Sequence, residues 1–289
     1  MNILVAPNDY YVFPTLVMLK SLVENTILRN NDCWNVYIFD EELAEYKMEN
    51  IHYFCKKNSI NIHDIKIQKG IFDKAPTSNH ITKATYYRLL APFLLPIDID
   101  RILYLDGDII TIRSLNSLYE TKLESYEAMA VCEGLGVSHV KYEVYDYLNI
   151  PHSFPYFNAG VLLMDLNKMR DVLKSTQTIF NFIDKHPILK YHDQDILNGL
   201  FYEKVKYVDW RIYNQSIIHI HSKEDARKCL ETAAIIHYAG SDKPWKYNYT
   251  SWYLLLFWQY ARKVNFGCSS FVIFVIQRIK WYIKRYIKL

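Results

Sequence analysis

Strand-like and helix-like stretches alternate through the first 67 residues, and this alternation restricts the fold more than any other feature. Ile3 to Ala6 is a short apolar run, and Pro7-Asn8-Asp9 turns the chain after it. Pro14 to Glu24 carries Leu16, Leu19 and Val23 on one helical stripe. Trp34 to Phe39 reads as a second strand. Glu41 to Lys57 is amphipathic, marked by Leu43, Met48, Ile51 and Cys55, and Ile60 to Ile67 alternates as a third strand. A β-α-β-α-β series predicts an α/β fold, a mostly parallel sheet with helices on both faces. No G-x-G-x-x-G follows the first strand and no G-x-x-x-x-G-K-[ST] occurs, so dinucleotide and P-loop sites are not supported.

Farther along, Ile102 to Leu105 is an apolar run of strand length, followed by Asp106-Gly107-Asp108. Open α/β sheets bind ligands beyond the carboxyl ends of their strands, and paired carboxylates suit Mg²⁺ or Mn²⁺. A solvated polar turn fits the same three residues. Thr82 to Leu95 reads as a helix whose apolar pattern is broken by Arg88, either a surface arginine or a phosphate ligand. Ala128 to Cys132 is a strand ending at Glu133, and Lys141 to Asn149 a polar helix. Tyr156-Phe-Asn-Ala-Gly160 runs into the strand Val161–Met164, closed by Asp165. Asn167 to Lys185 is helical throughout by pattern. His192-Asp-Gln-Asp195 opens a further helix, where capping alone would account for the polar residues. Ala233 to His237 is the last strand.

At 289 residues the chain has room for one large domain, or one domain and an appendage. Residues 1–242 hold 25 basic and all 31 acidic residues, a net of −6, whereas the last 47 residues carry +9. Such a tail suits an anionic surface. The five cysteines form no C-x-x-C, which excludes a zinc ribbon and fits a reducing compartment. The apolar runs Trp252–Trp258 and Phe271–Ile276 are far shorter than the ~20 residues of a spanning helix.

Six stretches carry a resemblance. They are Ile3–Ala6, Thr85-Tyr-Tyr-Arg88, Tyr104-Leu-Asp-Gly-Asp108, Phe157-Asn-Ala-Gly-Val-Leu-Leu163, Asp193-Gln-Asp-Ile-Leu-Asn-Gly199 and His237-Tyr-Ala-Gly-Ser-Asp-Lys243. In this order they resemble the retaining glycosyltransferases of family 8, nearest in pattern to the bacterial lipopolysaccharide and lipooligosaccharide galactosyl- and glucosyltransferases. The resemblance implies a nucleotide-sugar-binding α/β fold of the GT-A type over residues 1–245. It implies transfer of galactose or glucose from a UDP-hexose to a glycan hydroxyl in cell-surface glycan synthesis. It also implies a Mn²⁺ (or Mg²⁺) ion on Asp106, Asp108 and His237, beside Gly107. Arg88 and Lys243 would contact the diphosphate, with the backbone of Gly240 close by. Ala6, Asn8, Asp9 and Tyr11 would surround uridine. Asn158, Asp193 and Gln194 match positions that hold the donor sugar and approach its anomeric carbon, and Asp195 continues that motif. Gln194 is a poor nucleophile, so retention would follow a front-face route or use Asp195 or another carboxylate. Glu133 falls near an acidic position of the family. Asn8, Tyr10 and Gly107 depart from the subgroup's usual aspartate, asparagine and apolar residue. A haloacid-dehalogenase-like phosphatase, which also places D-x-D after a strand, is the rival enzyme, and an inactive nucleotide-sugar-binding protein is the rival non-enzyme.

From Gln277 onward, Ile279, Tyr282, Ile283 and Tyr286 share one helical face, with Arg278, Lys280, Lys284, Arg285 and Lys288 elsewhere. Residues 246–289 therefore read as a basic, aromatic helical segment lying on an anionic membrane surface without spanning it. The expectation is a cytoplasmic enzyme, peripheral on the inner face of the cell membrane, with a glycan or glycolipid acceptor and no nucleic-acid partner.

Overall fold

The computed structural model describes residues 1–29, 32–78, 82–133, 142–264 and 267–286. Among these are ten strands: β1 (Asn2–Val5), β2 (Trp34–Asp40), β3 (Ile60–Lys66), β4 (Arg101–Leu105), β5 (Ile109–Thr111), β6 (Met129–Glu133), β7 (Phe157–Asp165), β8 (Val205–Val208), β9 (Gln215–Ser216) and β10 (Ile235–His237). Seven form a central sheet in the order β3-β2-β1-β4-β7-β6-β8, and β5-β10-β9 form a small second sheet. The central sheet is mostly parallel, but β7 runs antiparallel to both β4 and β6.

Alternate residues of the central strands face different cores, so both sheet faces are buried. Ile102 and Tyr104 of β4 and Leu162 and Met164 of β7 join one cluster. Leu103, Leu105, Val161 and Leu163 join the other. Burial on both faces explains why these strands read as continuous apolar runs.

The order reverses between β1 and β4, a topological switch point. Ile3 pairs with Leu103 and Leu4 with Tyr104, so both strands end side by side. Their next residues, Ala6-Pro7-Asn8 and Asp106-Gly107-Asp108, open onto one crevice, the usual ligand position in such sheets.

Several local expectations are corrected. Residues 82–95 are not one α-helix: Lys83–Leu90 is a 3₁₀ helix followed by a single α turn, Ala91–Leu94. Pro92 has no N–H for the Arg88 carbonyl, which accepts from Ala91 instead, one residue too early for α geometry. The helix expected over 167–185 is two, Leu166–Leu173 and Thr176–Lys185. Lys174 stands between them at φ +60°, a conformation no α-helix contains. Apolar periodicity ran through this break because both helices bury the same side. The short strands β5, β8 and β9 were not anticipated; at 2 to 4 residues they present too few positions for a pattern.

After residue 249, the helix Leu254–Ala261 packs by Phe257 and Trp258 on Phe13 of the helix Val12–Asn25, with ring centroids 6.2 Å apart in both cases. The final helix, Gly267–Tyr286, leans on it through Phe271 and Phe274, 5.3 and 4.7 Å from the Trp258 ring. Arg278 turns toward the body and donates to the carbonyls of Tyr247 and Tyr249. On another face Val272, Ile276, Ile279, Tyr282 and Ile283 are exposed. Lys288 lies outside the described residues. Among those described, no helix is long and apolar enough to cross a membrane.

Candidate active site

Asp106 and Asp108 follow β4, and β5 begins at the next residue. Antiparallel pairing of β5 with β10 sets Ile109 opposite His237. That register, together with a hydrogen bond from the Tyr238 amide to the Asp108 carbonyl (2.9 Å), brings a histidine 129 positions downstream beside the aspartates. His237 Nε2 stands 3.3 Å from Asp108 Oδ1 and 3.9 Å from Asp106 Oδ2. One ligand atom from each of the three residues falls within 4.8 Å of the others.

Gly160 of β7 makes this proximity possible. A Cβ there would lie 2.6 Å from His237 Cε1 and 2.8 Å from Asp106 Oδ2, in the space the ligands occupy. Gly107 is equally confined, since a Cβ would meet Thr15 Oγ1 at 2.5 Å. A side chain there would press on Thr15 of the helix Val12–Asn25. At Gly240 the constraint is conformational: φ is +92°, while the nearest atom to an added Cβ is 3.7 Å away.

The three ligand groups fit a divalent ion. Two carboxylate oxygens and an imidazole nitrogen make a mixed oxygen and nitrogen donor set. Lys243 Nζ meanwhile donates to Asp108 Oδ2 and to the Tyr238 carbonyl. Burial would raise the Asp108 carboxyl, but Lys243 and then His237 outweigh it and hold the group well below the usual range.

Arg88 is no surface residue: it is 4% exposed. Its guanidinium lies 4.1 Å from the Tyr104 ring centroid and ion-pairs with Asp106 at 3.1 Å and Asp193 at 3.0 Å. The single Nε proton goes to the Thr85 carbonyl at 2.9 Å, so Asp193 Oδ2 receives no hydrogen bond. Burial pushes the Asp193 carboxyl up to about 6, with Arg88 pulling the other way. Asp193 also lines the cleft, with its Oδ2 packed against Arg88.

Gln194 Oε1 accepts from Asn158 Nδ2 at 3.0 Å and from the Ala159 amide at 3.1 Å. The cleft enclosing these groups has a volume of about 660 Å³, and Ala6, Asn8, Tyr11, Gly107, Gly240 and Lys243 also line it. Small-ligand sites commonly have this size.

Two of the anticipated residues are not brought here. Asp9 is exposed, and its Oδ1 caps the Ala44 amide at 3.0 Å. Asp195 is buried beneath the cleft, where it accepts from the Tyr156 hydroxyl and, at 2.7 Å, from the Tyr191 amide. That position holds the start of the helix Asp193–Phe201 and does not suit a nucleophile. Glu133 ends β6, paired with Phe157. Tyr104, Gly160, Tyr191, Ile218 and Asn214 belong to the site or its support and were not singled out from sequence. Tyr104 and Gly160 stood in recognisable stretches; no local signal marks the others.

The crevice at a switch point, with its acid-acid-histidine group, is an α/β ligand site able to hold a divalent ion. The profile described as "Glycosyl transferase family 8" matches residues 2–249. The chain belongs to that family and is a hexosyltransferase. A putative glycosyltransferase of Haemophilus influenzae is 30% identical over 85% of this chain and 73% of its own. The lipopolysaccharide 1,2-glucosyltransferase of Escherichia coli K12 is 26% identical over 85% and 72%. Galactosyltransferase LgtC, solved as an active-site glutamine-to-glutamate variant, superposes with a TM-score of 0.77 at 26% identity over 92% of this chain and 96% of its own. LgtC with donor and acceptor sugar analogues gives 0.75 at 25% identity over the same shares. Family membership displaces the phosphatase alternative, whose D-x-D would lie near the N-terminus.

Proposed function

We propose that this enzyme moves galactose or glucose from a UDP-sugar to a hydroxyl of a cell-surface glycan, with retention at the anomeric carbon. The convergence of Asp106, Asp108 and His237 beside Gln194 in one cleft carries the reading. A divalent ion on those three groups would neutralise charge on the departing diphosphate. Lys243 is then free to turn from Asp108 to a phosphate oxygen, and Tyr11, Asn8 and Ala6 offer a wall for the base. The Asp193 carboxylate, which lines the cleft, would accept from a sugar hydroxyl. Among the described residues the cleft is lined by three carboxylates, those of Asp106, Asp108 and Asp193. Two are ion ligands in this reading and the third is paired with Arg88, which favours front-face displacement over a covalent intermediate. The relatives named as a glucosyltransferase and a galactosyltransferase support the donor class. The test is UDP release from UDP-galactose and UDP-glucose with simple saccharide acceptors, with and without chelator. No release from either donor in the presence of Mn²⁺ would sink the proposal.

Asp193 gives a pH dependence. As the carboxylate it accepts a strong, charge-assisted hydrogen bond from a hydroxyl, and its raised value, about 6, means that protonation weakens this bond as pH falls through that range. Donor kcat/KM is therefore expected to drop roughly tenfold per unit on the acid side of that value. Asp193→Asn should lose this limb together with most of the activity. A wild-type profile that stays flat between about pH 4.5 and 7 counts against the role.

We further propose that the last helix attaches the enzyme to the inner face of the membrane, near a lipid-linked acceptor. Because Phe257 and Trp258 belong to the main core, the attachment segment narrows from 246–289 to the helix beginning at Gly267. Its exposed Val272, Ile276, Ile279 and Ile283 form an apolar stripe, and each basic residue near an anionic leaflet adds roughly 1 kcal/mol. The full chain is expected to float with anionic liposomes at low salt, and a truncation after Lys263 to stay behind. Equal behaviour of the two removes the helix as an anchor.

A further inference from the structure

Asn214 follows the short helix Trp210–Tyr213, immediately before β9, and is 1% exposed. Its amide touches both halves of the site. Asn214 Oδ1 is 2.7 Å from His237 Nδ1, and Asn214 Nδ2 is 2.8 Å from Asn158 Oδ1.

Proton positions in this chain follow from one backbone group. The Gly160 amide donates to Asn158 Oδ1 at 2.9 Å, and an N–H can only donate, so that atom is an acceptor. The Asn214 atom facing it must then be the NH₂, which leaves the Asn214 carbonyl facing His237. His237 Nδ1 therefore bears the proton. That leaves Nε2, which faces Asp106 and Asp108, as the nitrogen that would ligate an ion. In the other direction Asn158 Nδ2 donates to Gln194 Oε1. The hydrogen-bonded chain His237–Asn214–Asn158–Gln194 thus runs without a break from the ligand group to the glutamine.

We propose that Asn214 is a positioning residue that ties the two halves together. It fixes the His237 tautomer and ring plane for metal binding and, through Asn158, sets where Gln194 lies in the cleft. This rests on the functional reading above for the ion and for Gln194. It adds a residue that touches neither donor nor ion, and it assigns separate tasks to its two amide ends.

Those tasks are separable by substitution. Asn214→Asp keeps an oxygen for His237 Nδ1 but has no NH₂ for Asn158. It is expected to bind Mn²⁺ at least as tightly as the wild type, to within about threefold, while kcat falls tenfold or more at a nearly unchanged donor KM. Asn214→Ala loses both ends, and its Mn²⁺ affinity should fall about 10- to 100-fold. The experiment titrates Mn²⁺ alone, following free ion by electron paramagnetic resonance, and then measures steady-state kinetics. Thermal unfolding accompanies each variant. A folded Asn214→Ala with Mn²⁺ affinity within threefold of wild type overturns the proposal. If Asn214→Ala does not fold, Asn214→Asp decides: wild-type kcat, or Mn²⁺ affinity reduced tenfold, overturns it equally. Wild-type protein that binds Mn²⁺ no better than Asp108→Ala refutes the metal reading itself, a different failure with a different signature.

Discussion

Asp108→Ala is expected to reduce Mn²⁺-supported turnover at least about a thousandfold, roughly 4 kcal/mol of transition-state stabilisation. Two losses combine. The ligand group shrinks from three side chains to two, and Lys243 is left buried without its carboxylate partner. An unpaired buried charge is costly, so a lower melting temperature should accompany the kinetic loss. Asp108→Asn separates these effects, since it preserves volume and a carbonyl oxygen while removing the charge. Measurement of UDP release across a Mn²⁺ titration is decisive. A variant that works at the wild-type rate in chelator would show that the acid-acid-histidine group is not a metal centre.

Gln194→Ala is expected to retain UDP affinity within a few-fold and to lose about a hundred- to a thousandfold in kcat, or roughly 3–4 kcal/mol. Gln194 stands on the sugar side of the cleft and accepts from Asn158 and the Ala159 amide. Truncation leaves both donors unpaired, while Asn158 stays held by Gly160 and Asn214 and the loops bearing Tyr11 and Lys243 are untouched. UDP binding by calorimetry and turnover on the same preparation distinguish the outcomes. Parallel loss of UDP affinity and turnover would place Gln194 on the nucleotide, and normal turnover would remove it from the site.

Some of the architecture lay in local pattern and some did not. The strands β1 to β4 and the helices Val12–Asn25 and Glu45–Lys57 follow from apolar runs and stripes, because each buries its own residues in a way that repeats along the chain. β7 was legible as a strand, but its direction was not, since an antiparallel neighbour in a parallel sheet leaves the same apolar pattern. The break at Lys174 and the 3₁₀ turn at Lys83–Leu90 were equally hidden, one a matter of a single backbone dihedral and the other of a carbonyl deprived of its usual donor.

The site divides in the same way. The sequence by itself determined an α/β chain with two carboxylates at a strand end, and the ordered motifs added the family and the residue types of the cleft. Only the tertiary structure decided that His237 meets Asp108, through the pairing of β5 with β10 across more than a hundred residues. Only it turned Asp195 under the cleft and Asp9 away from it, buried Arg88 between two aspartates, and set Asn214 between His237 and Asn158. The physical reason is common to all of these. A hydrophobic period records which side of an element is buried, whereas register, side-chain direction and hydrogen-bond partners are settled by groups distant in sequence that compete for the same few ångströms.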